Sequence, residues 1–121
     1  MLYSILCYES EAARAARSQQ EDDALMSRLA VVQQRLAAQG RLGPVARLMP
    51  TTAATTVMAG TRPVVLDGPF AETKEQLFGF YVVDCATLEE AIEVARELAR
   101  EKPAGALEIR PIARFSPMSA T

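Results

Sequence analysis

Met1 to Tyr8 sets Leu2, Ser4, Leu6 and Tyr8 on one parity and Tyr3, Ile5 and Cys7 on the other. Both parities are largely apolar, so the pattern predicts a strand covered on both faces and central in its sheet. Glu9 to Ser18 is polar and rich in Ala and Arg, and reads as a loop or a frayed lead-in turn. From about Gln19 the signal turns helical: Leu25, Leu29, Val32 and Leu36 recur at helical spacing, and Gly40 supplies the stop. Leu42, Val45, Leu48 and Met49 around Pro44, followed by Thr51 to Val57, read as two short strands joined by a turn at Pro50 and Thr51. A second turn at Gly60 leads into a strand over Pro63 to Leu66.

Leu77 to Asp84 predicts a further strand, and Gly79 in its middle points to a bulge or to a close approach of another group to the backbone. Thr87-Leu88-Glu89-Glu90 matches a capping box, with the Thr87 hydroxyl facing the Glu90 backbone NH and the Glu90 carboxylate reaching back. The helix that follows carries an apolar stripe of Leu88, Ala91, Ile92, Ala95, Leu98 and Ala99, and ends at Pro103 and Gly105 with Arg96, Arg100 and Lys102 near its C-terminus. Leu107 to Ile112 alternates as a half-buried strand, Leu107 and Ile109 facing one way and Glu108 and Arg110 the other. A single domain over 1–115 with a flexible tail at 116–121 is expected.

This order predicts an α+β fold, a ferredoxin-like βαββαβ antiparallel sheet with both helices on one face and an inserted hairpin. The other face is then uncovered although its strands are apolar on both parities. A homodimer burying the open faces is the economical solution.

Composition narrows the chemistry. The 121 residues, half of them hydrophobic, suffice for one core and leave no room for a second domain. With 13 basic and 15 acidic residues and no long cluster of either sign, no nucleic-acid partner is expected. No stretch approaches the roughly 20 apolar residues of a membrane span, and Met1 to Tyr8 lacks the basic start of a signal peptide, so no membrane partner and a cytoplasmic location are expected. Cys7 and Cys85 lie in apolar strand-like segments, as suits reduced, buried thiols without metal-ligand spacing. There is no histidine, which excludes Ser-His-Asp and Cys-His arrangements and leaves acid–base chemistry to carboxylates, Lys, Tyr or Cys.

The densest chemistry is the run Asp67-Gly68-Pro69-Phe70-Ala71-Glu72-Thr73-Lys74-Glu75. Val64 to Leu66 supply a short strand, Gly68 relieves the backbone at the bend, and Pro69 ends the ladder. Asp67 then either caps the turn or, with Glu72, Lys74 and Glu75, converges on the mouth of a pocket. The run closely resembles the signature of YCII-related proteins in their DGPF-motif branch, and the rest of the chain fits that family from end to end. The resemblance implies a dimeric α/β barrel, two such sheets packed face to face around a cavity. Other branches resemble enzymes with a histidine and an aspartate facing a pocket, a pattern from which this histidine-free chain departs.

Two functions follow as expectations. In the first, the chain is a small-molecule enzyme without metal or other cofactor, Asp67 acting as base with Glu72 or Glu75 as partner carboxylate. Phe70 and Tyr81 would line the ligand site, and Lys74 or Arg110 would hold an anionic substrate beside Glu108. A carboxylate base near neutral pH requires a substantially dry pocket. In the second, the same cavity is a non-catalytic ligand sensor or regulatory module, since the DGPF branch resembles companions of alternative sigma factors. Glu108 and Arg110 equally suit an ion pair at a sheet edge or dimer seam.

Overall fold

The computed structural model describes residues 1–117. Its elements are β1 (Leu2–Ser10), α1 (Glu11–Ala16), α2 (Gln19–Ala38), β2 (Leu42–Arg47), β3 (Thr55–Met58), β4 (Val64–Asp67), β5 (Glu75–Asp84), α3 (Leu88–Arg100) and β6 (Ala106–Pro111). Four strands form an antiparallel sheet in the order β2-β5-β1-β6, and β3 and β4 form a separate two-stranded sheet. This arrangement is compatible with the ferredoxin-like α+β fold. Ser116 and Pro117 carry no regular structure, and the remainder of the expected tail, 118–121, lies outside the described residues.

The alternation along β1 decides where the core sits. Tyr3, Ile5 and Cys7 are buried, while Leu2, Ser4, Leu6 and Tyr8 are half-buried. The buried parity packs with Tyr81 and Val83 of β5, with Leu25, Leu29, Val32 and Leu36 of α2, and with Ala91, Val94, Ala95 and Leu98 of α3. Leu107 and Ile109 of β6 complete this layer from the edge. Cys7 and Cys85 are free and buried, and burial pushes both thiols up from their ordinary pKa.

Three local expectations need correction. Glu9 to Ser18 is not a loop: β1 runs on to Ser10, whose hydroxyl accepts from the Ala13 NH and starts α1. Ser18 then opens α2 with a reciprocal capping box, its hydroxyl accepting from the Glu21 NH and the Glu21 carboxylate accepting from the Ser18 NH. At α3 the Thr87 hydroxyl caps the Glu90 NH as expected, but the Glu90 carboxylate accepts from the Ala86 NH instead of returning to Thr87. The buried stripe of α3 includes Val94, while Leu88 and Ala99 are exposed, so the core-facing arc is rotated from the one expected.

Gly79 behaves as its position in the strand suggested. The β1–β5 register pairs Cys7 with Gly79 and Tyr8 with Leu77, so Phe78 is the extra residue of a β-bulge. A Cβ at Gly79 would lie 2.7 Å from the Ala46 carbonyl oxygen, so only glycine lets β2 come this close. The segment after β2 differs from expectation: after a last backbone bond from the Leu48 NH to the Phe78 carbonyl the chain leaves the sheet, Thr51–Ala53 form one 3-10 turn, and β3 and β4 project as their own hairpin closed beyond Gly60.

Candidate functional site

The nine-residue acidic run begins at the end of β4, where Asp67 pairs with Thr55 across the hairpin. Gly68 follows with φ of 93°, a conformation that excludes most side chains, and its NH donates to the Ala54 carbonyl at 2.8 Å. Thr56 Oγ1 donates to the Gly68 carbonyl, also at 2.8 Å. The turn is therefore a structural clasp at the base of the hairpin. Farther on, Gln76 Nε2 donates to the carbonyls of Ala71 and Thr73, which fixes the return of the chain into β5.

The ionisable side chains of the run do not meet in one pocket of the single chain. Asp67, Glu72, Lys74 and Glu75 are all exposed, as is Phe70 at 78%. Glu72 lines a surface hollow with Glu11, Thr51, Thr52, Gly68, Pro69, Thr73 and Gln76. Glu75 lies instead on the open face of the sheet, in a depression shared with Tyr8 and Glu108. Lys74 contributes its carbonyl, which accepts from the Glu11 NH at 3.4 Å.

Glu108 and Arg110 stand opposite Leu6 and Ser4 in the register, on the face away from the helices. They form an exposed ion pair of 3.4 Å, Arg110 Nε to Glu108 Oε2. Tyr81 belongs to the other face. It is buried under α2, its hydroxyl accepts from Gln33 Nε2 at 3.3 Å, and burial raises its pKa. Among the expected site residues, Glu75 and Glu108 thus share one surface, Arg110 flanks them, and Tyr81 is separated from them by the sheet.

A charged cluster that the sequence reading passed over occupies the helix side. Arg17 of the α1–α2 junction pairs with Glu9 and, through Nε, with Asp22 at 3.2 Å. Arg47 at the end of β2 grips the same Asp22 with two hydrogen bonds of 2.9 and 2.6 Å. The Arg47 hydrogen bonds hold the Asp22 carboxyl below the usual carboxylate range, and the hydrogen bond to Glu9 raises Arg17 further. Glu11 accepts from both the NH and the hydroxyl of Thr51, tying α1 to the foot of the hairpin. Arg14 stacks on the Phe78 ring, 4.1 Å from its centroid, and donates through Nη2 to the Leu48 carbonyl at 2.8 Å.

The signal for this cluster was present in Ser18-x-x-Glu21, a capping box that starts one helix and so makes the preceding Glu11–Ala16 a separate Ala-rich turn of helix. That geometry aims Arg14 and Arg17 inward, which composition alone does not reveal.

The family model of the YCII-related domain matches residues 1–116. The chain belongs to the YCII-related family. An uncharacterized protein of Rhizobium meliloti (strain 1021) is 50% identical over 119 residues, spanning 97% of this chain and 96% of its own length. No helix among the described residues is long and apolar enough to cross a membrane.

Proposed function

We propose that this YCII-related chain is a homodimeric small-molecule-binding protein of the DGPF branch, its ligand held in a cavity between the open sheet faces of two copies. The observation that carries this reading is apolar surface left without a cover. Leu6, Tyr8, Leu77 and Phe80 are half-buried on the side of the sheet away from the helices. The hairpin adds Val57, Val64, Val65 and Leu66, all exposed. An isolated two-stranded hairpin is marginal in water, so an apolar one gains by packing against another surface. A second copy offers both surfaces at once and pairs them by a two-fold axis.

Charge placement supports an anionic ligand. Arg110 lies on the open face with Glu108 as its only ion-pair partner among the described residues, and a bidentate anion competes for such a guanidinium. Glu75 and the neighbouring Asp67, Glu72 and Lys74 would rim the cavity. Carboxylate acid–base catalysis without a cofactor then depends on the partner copy drying this rim. A ligand-sensing role is the second reading, favoured by the exposure of all three carboxylates in the single chain.

Light scattering at low micromolar concentration should return twice the chain mass, and a compact monomer would remove the proposed cavity. In a screen of small organic acids, Asp67→Asn should stay dimeric and folded while losing binding or turnover of the ligand found. Aggregation of that variant would assign Asp67 to the turn alone. A ligand that is bound yet never altered separates the sensor from the enzyme.

A further inference from the structure

The helix side of the sheet holds a second cleft, formed wholly within one chain. It is an open cleft of ≈ 660 Å³ between α1, the start of α2 and the segment after β2, with Leu48, Met49 and Phe78 among its apolar walls. A narrower recess of ≈ 80 Å³ shares Arg14, Arg17, Arg47 and Phe78 with it and extends to Leu29, Gln33 and Tyr81. The arginines therefore stand where a polar mouth meets an apolar interior, a common design for small-ligand sites.

Of the three guanidiniums, two are matched. Arg17 and Arg47 share Glu9 and Asp22, and Glu11 is engaged by Thr51. Arg14 has no carboxylate within ion-pair distance among the described residues, and its Nη1 is buried without a hydrogen-bond partner. A buried unsatisfied donor destabilises the fold, more so when charged. Burial, and after it the repulsion from Arg47, lower the Arg14 pKa, which marks a cation short of compensating charge.

We propose that this cleft binds a small organic monocarboxylate, its carboxylate taken by Arg14 beside Arg47 and its apolar body laid against Leu48 and Met49 beside the Arg14–Phe78 stack. Nη1 is shut off from solvent, so binding requires the guanidinium to turn towards the cleft, which weakens binding. The three carboxylates Glu9, Glu11 and Asp22 on the same walls disfavour a dianion such as phosphate. The site lies across the sheet from Glu108 and Arg110 and is independent of the dimer cavity proposed above.

Benzoate, its neutral isostere benzamide, and inorganic phosphate make the test, read by titration calorimetry and by the NMR signals of the Phe78 ring on the full chain. Benzoate should bind and shift the Phe78 signals; benzamide and phosphate should bind at least about tenfold more weakly, the factor expected for losing one charge-assisted hydrogen bond. Arg14→Gln should weaken benzoate by a similar factor, whereas Arg96→Gln, on the exposed face of α3, should leave the Phe78 shifts unchanged. If Arg14→Gln does not fold, the contrast between benzoate and benzamide on the unaltered chain, with the Phe78 shifts, decides alone. Equal binding of benzoate and benzamide, phosphate binding as tight as benzoate, or benzoate binding with no shift at Phe78 would overturn the assignment.

Discussion

Between Glu9 and Asp22 every acidic side chain has a partner: Glu9 and Asp22 hold Arg17, Glu11 holds Thr51, and Glu21 closes the cap at Ser18. Between Asp67 and Glu75 the acidic side chains stand exposed, and the loop is held by its backbone, Thr56 and Gln76. Both segments are comparably rich in charge, and both flank a strand of the main sheet. The difference lies in what packs on them. The first folds into α1 and the start of α2 against the sheet, where its ion pairs are partly shielded from water, whereas the second sits at the foot of a projecting hairpin in water. The carboxylates of the first are matched inside one chain; in the proposed dimer, those of the second would meet the surface of the other copy.

The contrast breaks first in the core that supports the closed region. Leu98 is fully buried between α3 and the sheet, so Leu98→Ala should cost about 2–5 kcal/mol in urea unfolding. A smaller loss would mean that α3 can collapse onto the gap. Asp22→Asn should cost about 1–3 kcal/mol, because it weakens the hydrogen bonds to Arg17 and Arg47 at once.

That second substitution also predicts a pH dependence. The folded-state pKa of Asp22 lies below its unfolded value of about 3.9, so its contribution is fully present above that value. It is lost as pH falls through the folded pKa. Urea midpoints taken from pH 7 down to pH 3 should decline less steeply on the acid side in Asp22→Asn than in the parent. Parallel curves would place the acid sensitivity elsewhere.

On the hairpin side the effects shrink. Gly68→Ala meets no atom within 4 Å and so carries only the strain of a positive φ, about 1–2 kcal/mol. Hydrogen exchange should show that loss at Gly68 and Thr56 and not in β1 or β5. The smallest change in fold stability is expected from Val65→Ser, within about 0.5 kcal/mol as for other exposed positions, measured in the dilute range where no dimer forms. Light scattering gives the same variant its second readout: an unchanged mass at every concentration would take the hairpin out of the proposed interface.

Apart from α1, the order of elements was legible in the sequence because burial leaves a period: two for β1 and β6, 3.6 for α2, each enforced by the face that must avoid water. Gly79 was legible for a similar reason, since a glycine inside an apolar strand marks a place where no side chain fits. The acidic run was legible as a turn, which Gly68 and Pro69 require locally. Its convergence into a pocket was a statement about distant surfaces, and local chemistry does not contain it. Tyr81 shows the same limit: the sequence marks an aromatic in a strand, but only the pairing of β5 with β1 assigns it to the face under α2. Arg14, Arg17 and Arg47 come from three separate segments, and their meeting with Asp22 depends on how α1 turns into α2 and how β2 approaches the bulge at Phe78. Periodicity is a property of neighbours along the chain, so the sequence determined which residues build each element; a site is a property of neighbours in space, and only the packed sheet and helices decided which of its charges are matched and which are left free.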